Sequence, residues 1–334
     1  MKKVVISVLI IIDLMICSFL FFTYGPIDYF RNLLVTTAMT TKSHHYIART
    51  LYSDETIYKI MDSNYIEEVN ENTNLTEINI GNIEETTEYD SIYEEQILKR
   101  EKDAVYKIIP LSGTNYKGYL VAIYDPSRIE LKISKYLGKR GQTVQEMAKD
   151  ENALIAINAG GFADAGGVGN GGIPTGSLIK DSKLVYQGQD TGWGGGIIGF
   201  TKDNVLMLYK GTALEAIENG IEDAVDFGPF LIVNGKRSIA KGNGGYGISS
   251  RTAIGQRQDG IVLFVVIDGR QPGYSLGISM SELTDIFARY RAYNAVNLDG
   301  GASSSLVENG KIISKPCAYS ATGERWVSSA WIIK

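Results

Sequence analysis

The chain has 334 residues, with 33 Lys or Arg against 38 Asp or Glu, a net charge of −5 and a pI near 5.3. No global basic field draws it to nucleic acid, so an anionic ligand must be held by local arginines and backbone N–H groups. Its two histidines, His44 and His45, lie near the N-terminus, and its two cysteines are Cys17 and Cys317. From residue 104 onward this excludes Ser-His-Asp and Cys-His catalysis and zinc sites built on His or Cys. Carboxylates, Arg, Lys, Tyr, Asn and hydroxyls are left to carry any chemistry.

Lys2 and Lys3 precede an almost unbroken apolar run from Val4 to Tyr24, interrupted by Asp13. At ~1.5 Å per residue such a run covers the ~30 Å hydrocarbon core of a bilayer. It is longer than a signal-peptide core and no convincing A-x-A site follows, so residues 1–24 are expected to be an uncleaved transmembrane anchor. The two lysines place the N-terminus in the cytoplasm and the rest of the chain outside the cell membrane.

Residues 25–103 are expected to form a juxtamembrane helical stalk and acidic linker. Ser53 before Asp54-Glu55-Thr56-Ile57 reads as a helix start. Residues 66–103 hold 12 acidic residues against 3 basic ones, the composition of a solvated spacer.

The remainder, 104–334, suits one globular domain. Its first segments, Ala104 to Leu111, Gly118 to Tyr124 and Arg128 to Ser134, look extended. Thr143-Val144-Gln145-Glu146 predicts a capping box and a helix to about Asp150. Ala153 to Ile157 is a buried strand leading into Asn158-Ala159-Gly160-Gly161-Phe162, and strands are expected at Ile197–Phe200, Val205–Tyr209, Phe230–Val233 and Ile261–Ile267. Ser279-Met280-Ser281-Glu282 is a second capping box, opening a helix to about Ala292. The class expected is α/β (α+β): a mixed β-sheet core with few helices, in a single domain behind the anchor.

Two apolar runs end in Asp-Gly. Ile261–Ile267 delivers Asp268-Gly269-Arg270, and Ala295 to Leu298 delivers Asp299-Gly300-Gly301-Ala302-Ser303. Such dipeptides also make plain tight turns, as expected at Asn234-Gly235, Asp259-Gly260 and Asn309-Gly310. The small-residue run after Asp299 exceeds what a turn needs, because it keeps a pocket open and lets backbone approach a ligand. Two further loops crowd Gly and Ala around polar residues: Asn158 to Gly176, with Asp164 and Thr175, and Lys241 to Gly255, with Tyr246 and Arg251. Neither a P-loop nor a Rossmann spacing occurs. Arg251 and Arg270 have the fork geometry that suits phosphate, although each could instead pair with an Asp. Trp193 could stack on a sugar or simply pack.

In order along the chain stand Asn158-Ala159-Gly160-Gly161-Phe162, Gly228-Pro229 with Asn234-Gly235, Arg251-Thr252-Ala253-Ile254-Gly255, Asp268-Gly269-Arg270, and Glu282 ahead of Asn297-Leu298-Asp299-Gly300-Gly301. Together they resemble the phosphodiester glycosidase domain of the N-acetylglucosamine-1-phosphodiester α-N-acetylglucosaminidase (uncovering enzyme) family over 104–334. Ser250 stands where the family pattern favours Pro, and Ala302 where it favours a third Gly. The resemblance implies hydrolysis of a sugar-1-phosphate diester. An anomeric phosphodiester departs as an anion without protonation, so one carboxylate and cationic phosphate contacts suffice.

On that chemistry Asp299 is expected to act as base or nucleophile, and Asp268 to orient sugar hydroxyls or assist. Glu282 is kept as a third catalytic candidate, although as the fourth residue of its capping box it has a purely structural task too. Arg251 and Arg270 would clamp phosphate, with Asn158, Gly160, Gly161, Thr252, Gly300, Gly301 and Ser303 lining the substrate. No cofactor is certain; a divalent cation, Ca²⁺ or Mg²⁺, could bridge Asp268 and Asp299 to phosphate. The expected partners are the membrane, through residues 4–24, and a sugar-phosphate or anionic glycopolymer of the cell envelope, such as an exopolysaccharide. The alternative is a non-catalytic binding module or an assembly factor for anionic envelope polysaccharide.

Overall fold

A computed structural model describes residues 2–41, 44–81, 86, 88–164, 167–188, 192 and 194–334. Three sheets enclose the main core. The largest has seven strands in the order Lys236–Arg237, Phe230–Val233, Ala292–Asn297, Arg251–Arg257, Val262–Ile267, Lys117–Ile123, Tyr106–Ser112. A five-stranded sheet runs Lys311–Ile312, Leu306–Glu308, Ile155–Asn158, Ser329–Ile333, Ile129–Ile133, and a second runs Lys183–Tyr186, Leu178–Lys180, Ile221–Phe227, Gly196–Thr201, Leu206–Tyr209.

The inner faces of all three meet in one cluster that includes Val121, Phe264, Ile157, Trp331, Ile198 and Val225. Trp331 lies fully buried with its ring edge-on to Phe200. Each outer face carries a helix: Met280–Arg289 on the seven-stranded sheet, Val144–Glu151 and Ala213–Glu218 on the others. Val262–Ile267 is apolar at every position because it is buried on both faces. The α+β class and single domain are as expected. The strand pairing is a correction: every ladder among the described residues is antiparallel, where a mixed sheet was expected.

The capping boxes at Thr143 and Ser279 form as expected, each with both reciprocal bonds in place. Asn234 and Asn309 take left-handed φ before their glycines, as tight turns require. Lys2–Tyr24 is one continuous helix, long and apolar enough to cross a membrane.

The described residues of 66–103 do not form the solvated spacer expected. Tyr65–Glu67 pairs antiparallel with Ile239–Lys241, Thr73 exchanges two hydrogen bonds with Leu208, and Ile97 is fully buried. Its excess carboxylates answer cations of the domain: Glu68 meets Lys210, Glu71 meets Lys236, and Asp90 meets Arg291. The Glu94 carboxylate lies 2.7 Å from the Arg257 guanidinium, with both side chains buried. Removing one partner of a buried ion pair typically costs ~3–5 kcal/mol. Arg257 keeps Asp259 at 2.7 Å, so Glu94→Ala should sit at the low end, lowering the melting temperature by roughly 6–10 °C. A thermal melt checks this; a detached spacer would show no shift.

Candidate active site

Asp299 is placed where two sheets meet. The strand Ala292–Asn297 pairs with Arg251–Arg257, and Leu298 still donates to the Thr252 carbonyl. The Asp299 N–H then crosses to the Ala159 carbonyl, 3.1 Å away, just past the strand Ile155–Asn158 of the neighbouring sheet. Asn158, fully buried, fastens this junction. Its Nδ2 donates to the Asp299 carbonyl at 2.6 Å, while its Oδ1 accepts from the Thr252 hydroxyl at 2.7 Å and the Ser305 N–H at 3.2 Å. The backbone of Asp299 therefore has little freedom to turn.

The carboxylate of Asp299 faces a cleft of about 190 Å³. One side is half-open to it; the rest is enclosed by protein, and this desolvation pushes the carboxyl up to about 6. The nearby Asp164 adds to the rise, and the Ser303 hydroxyl, the Arg325 guanidinium and the Gly300 N–H oppose it.

Three guanidiniums line the same cleft. Arg251, almost fully buried, donates from Nε to the Ile278 carbonyl and from Nη2 to the carbonyls of Tyr246 and Gly247, both at 2.8 Å. Burial first, and the charge of Arg270 second, pull it down to about 10, so it stays charged at neutral pH. Arg270 holds a left-handed φ of 59° and donates from Nε to the Ser249 hydroxyl at 3.1 Å. Its guanidinium lies against Gly301, where a Cβ would come within 2.7 Å of Nη2. Among the described residues neither Arg251 nor Arg270 has a carboxylate partner. Arg325 does: its Nη1 meets Asp164 at 2.8 Å, and its guanidinium stacks on Phe162.

Of the residues expected from sequence, Asp299, Arg251, Arg270, Gly161, Gly300, Gly301 and Ser303 line this cleft. Asp268 does not. Its strand flanks Arg251–Arg257 on the other side, so both Asp-Gly ends sit at the same edge of the sheet. Its side chain is buried, however, and turned to the Tyr274 hydroxyl at 3.0 Å and the Lys315 N–H at 2.8 Å. Burial raises its pKa away from the cleft. With the two carboxylates facing different partners, a cation bridging Asp268 and Asp299 has no pair of ligands to sit between. Glu282 is exposed and accepts from the N–H and hydroxyl of Ser279, the capping task alone. Asn158 and Thr252 are buried and bond each other, and Gly160 packs under Val225; all three position the cleft from behind.

Sequence reasoning missed Arg325, which sits in Glu324-Arg325-Trp326 with no apolar run ending there to mark it. It also missed Thr40 and Thr41, which line the cleft from the end of the helix Asp28–Thr40. That helix is fastened to the glycine loop 242–248: Asn243 donates to the Thr36 hydroxyl at 2.9 Å and Thr40 to the Tyr246 carbonyl at 3.3 Å. The supposed stalk thus steadies the carbonyls that hold Arg251. Trp193 lies outside the described residues.

Residues 151–334, more than half of the chain, match the phosphodiester glycosidase (NAGPA) family. The chain belongs to that family. The SPbeta prophage-derived uncharacterized protein YomE of Bacillus subtilis is 31% identical over 188 residues, 54% of this chain and 28% of its own length. The N-acetylglucosamine-1-phosphodiester alpha-N-acetylglucosaminidase of Bos taurus is 25% identical over 204 residues, 53% of this chain and 35% of that one. The chain thus spans about a third of the length of these curated relatives. In structure it is similar to the zebrafish N-acetylglucosamine-1-phosphodiester alpha-N-acetylglucosaminidase catalytic domain auto-inhibited by pro-peptide. The TM-score is 0.56 at 22% identity, covering 70% of this chain and 85% of that one, a likeness of fold.

Proposed function

We propose that this phosphodiester glycosidase hydrolyses a sugar-1-phosphodiester of the N-acetylglucosamine type, as the names of its mammalian relatives suggest. One observation carries the reading: Asp299, whose carboxyl desolvation pushes up to about 6, shares a cleft with two guanidiniums that have no carboxylate partner among the described residues. A pure phosphate binder gains nothing from a carboxylate there, whereas a hydrolase needs one.

Asp299, ionised at neutral pH, takes a proton from water attacking the anomeric carbon, or attacks that carbon itself. The C1–O bond breaks, and the electron pair leaves with the phosphate. Arg251 and Arg270 hold the charge that develops on the departing phosphomonoester, so no general acid is needed. The Asp164–Arg325 pair braces the third guanidinium toward the same charge. In the reading offered here, Lys2–Tyr24 spans the cell membrane with the N-terminus inside, and the acceptor is an extracytoplasmic envelope glycopolymer.

The test is the full chain in detergent with an N-acetylglucosamine-1-phosphodiester, followed by NMR for free sugar, with and without EDTA. Release should rise with pH through about 6 as Asp299 ionises, and the first anomer seen separates retention from inversion. Loss of release with EDTA would add a metal to the mechanism. Saturable binding without release at any pH would replace the hydrolase with a binding module.

A further inference from the structure

We infer that Ile27, Tyr29 and Phe30 rest in the interface of the bilayer that Lys2–Tyr24 spans, and that the helices behind them hold the cleft there, so that the diester it cleaves is carried on a membrane lipid. This rests on the transmembrane and phosphodiester glycosidase readings, and adds a partner surface and the carrier of the substrate. The apolar window of Lys2–Tyr24 has no residue buried against protein, and its apolar surface does not stop at Tyr24. Phe30 packs edge-on against Phe22, with ring centroids 4.6 Å apart, and Tyr24, Ile27, Tyr29 and Phe30 are 39–60% exposed. Beside them Asp28 pairs with Arg31, so the two charges cancel. Aromatic and apolar side chains continuous with a span, with their neighbouring charges paired, suit the membrane–water boundary, where tyrosine sets its ring in the lipid and its hydroxyl toward water.

The mounting behind this surface is stiff. Thr23 is buried and its carbonyl accepts from the Tyr52 hydroxyl at 2.8 Å, while the Tyr24 hydroxyl donates to the Leu51 carbonyl at 3.1 Å. Val35, Ala38, Ala48, Ile57 and Ile60 pack the helices Asp28–Thr40, His45–Leu51 and Asp54–Ser63 together. Asn243 then ties two of them to the glycine loop: its Nδ2 donates to the Thr36 hydroxyl at 2.9 Å, and its N–H to Asn64 Oδ1 at 2.8 Å, just past Ser63. Thr40 and Thr41 line the cleft. Asp28–Thr40 has 13 residues, so its length keeps that rim of the cleft within ~20 Å of the aromatic turn.

A diester free in solution gains nothing from such a mounting. One esterified to a lipid alcohol of the same bilayer stays within reach of the cleft, which raises its effective concentration. Hydrolysis of its C1–O bond then releases the sugar and leaves the phosphate on the lipid.

The test uses the full chain in phosphatidylcholine vesicles. Tyr29→Trp adds emission to that of the three native tryptophans, and bromines near the headgroup end of the acyl chains should quench the added emission more than bromines at the chain ends. No quenching by either, as when solvent or a second copy of the chain covers Tyr29, overturns the docked surface. Initial rates are then compared for N-acetylglucosamine-1-phosphate esterified to a long-chain alcohol in the vesicles and to a short, water-soluble one. The lipid-carried diester should be cleaved at least ~10-fold faster at equal bulk concentration. The double variant Ile27→Asp/Tyr29→Asp should lose at least ~5-fold of that preference, with its rate on the soluble diester within ~2-fold of wild type. Equal wild-type rates, or an undiminished preference in the variant, overturn the lipid-carried substrate. If neither diester is cleaved, the hydrolase reading fails and the substrate falls with it, while the quenching still upholds or overturns the docked surface.

Discussion

Asp299→Asn should lower sugar release by at least ~10³-fold and, at the same time, make the protein more stable at neutral pH. The first effect follows from removing the one carboxylate, among the described residues, that lines the cleft without a cation bonded to it. The second follows from its titration. Its pKa rises from 3.8 to about 6 on folding, so between those values the native state binds more protons than the unfolded one, and stability falls as pH rises. At neutral pH the ionised carboxylate therefore costs the fold something, about 1–3 kcal/mol after allowing for its open side. Asn has nearly the same shape and no charge. Its melting temperature should exceed wild type by roughly 3–8 °C at pH 7.5 and converge with it below pH 4. Melts at both pH values check this. A variant that is inactive but equally stable throughout would mean that Asp299 ionises without strain, and that its place as a tuned base is wrong.

Arg270→Met should lower kcat/KM on the phosphodiester by ~10²–10³-fold, the usual loss when one donor to a developing negative charge is removed. Met keeps the stem and the same left-handed backbone but loses the guanidinium. Arg270 is exposed and its side-chain hydrogen bond goes to the Ser249 hydroxyl, so the fold should change by no more than ~0.5 kcal/mol. Arg251 is the poorer choice for such an experiment, because its guanidinium also ties together the carbonyls of Tyr246, Gly247 and Ile278. Inhibition by inorganic phosphate gives an independent reading: its inhibition constant should rise at least ~10-fold in Arg270→Met, the loss of one charge-assisted pair. Unchanged phosphate inhibition would place the leaving group elsewhere in the cleft.

Local signals in the sequence were enough to pick out residues that the fold brings to one cleft. The apolar run into Asp299, the two glycines after it, and Arg251 entering a strand from a glycine loop all depend on residues adjacent in the chain, and all reach the cleft. The capping boxes at Thr143 and Ser279 were legible for the same reason, since donor and acceptor are three residues apart. Side-chain direction was not. Asp268 and Asp299 end strands on either side of Arg251–Arg257 and read alike, yet the Tyr274 hydroxyl and the Lys315 N–H draw Asp268 away from the cleft. Asn158 reads as a ligand contact until its three bonds to Asp299, Thr252 and Ser305 are seen to be internal.

The acidic stretch reads as a spacer because its own composition lacks the cations that neutralise it; those lie far along the chain, in Lys210, Lys236, Arg257 and Arg291. Arg325 reaches the cleft by the same long-range packing, through Asp164 and Phe162. The sequence by itself determined the chemistry available and where chain and strand ends deliver it. The tertiary structure decided which of those groups face one another, because burial and pairing are settled by residues more than a hundred positions apart.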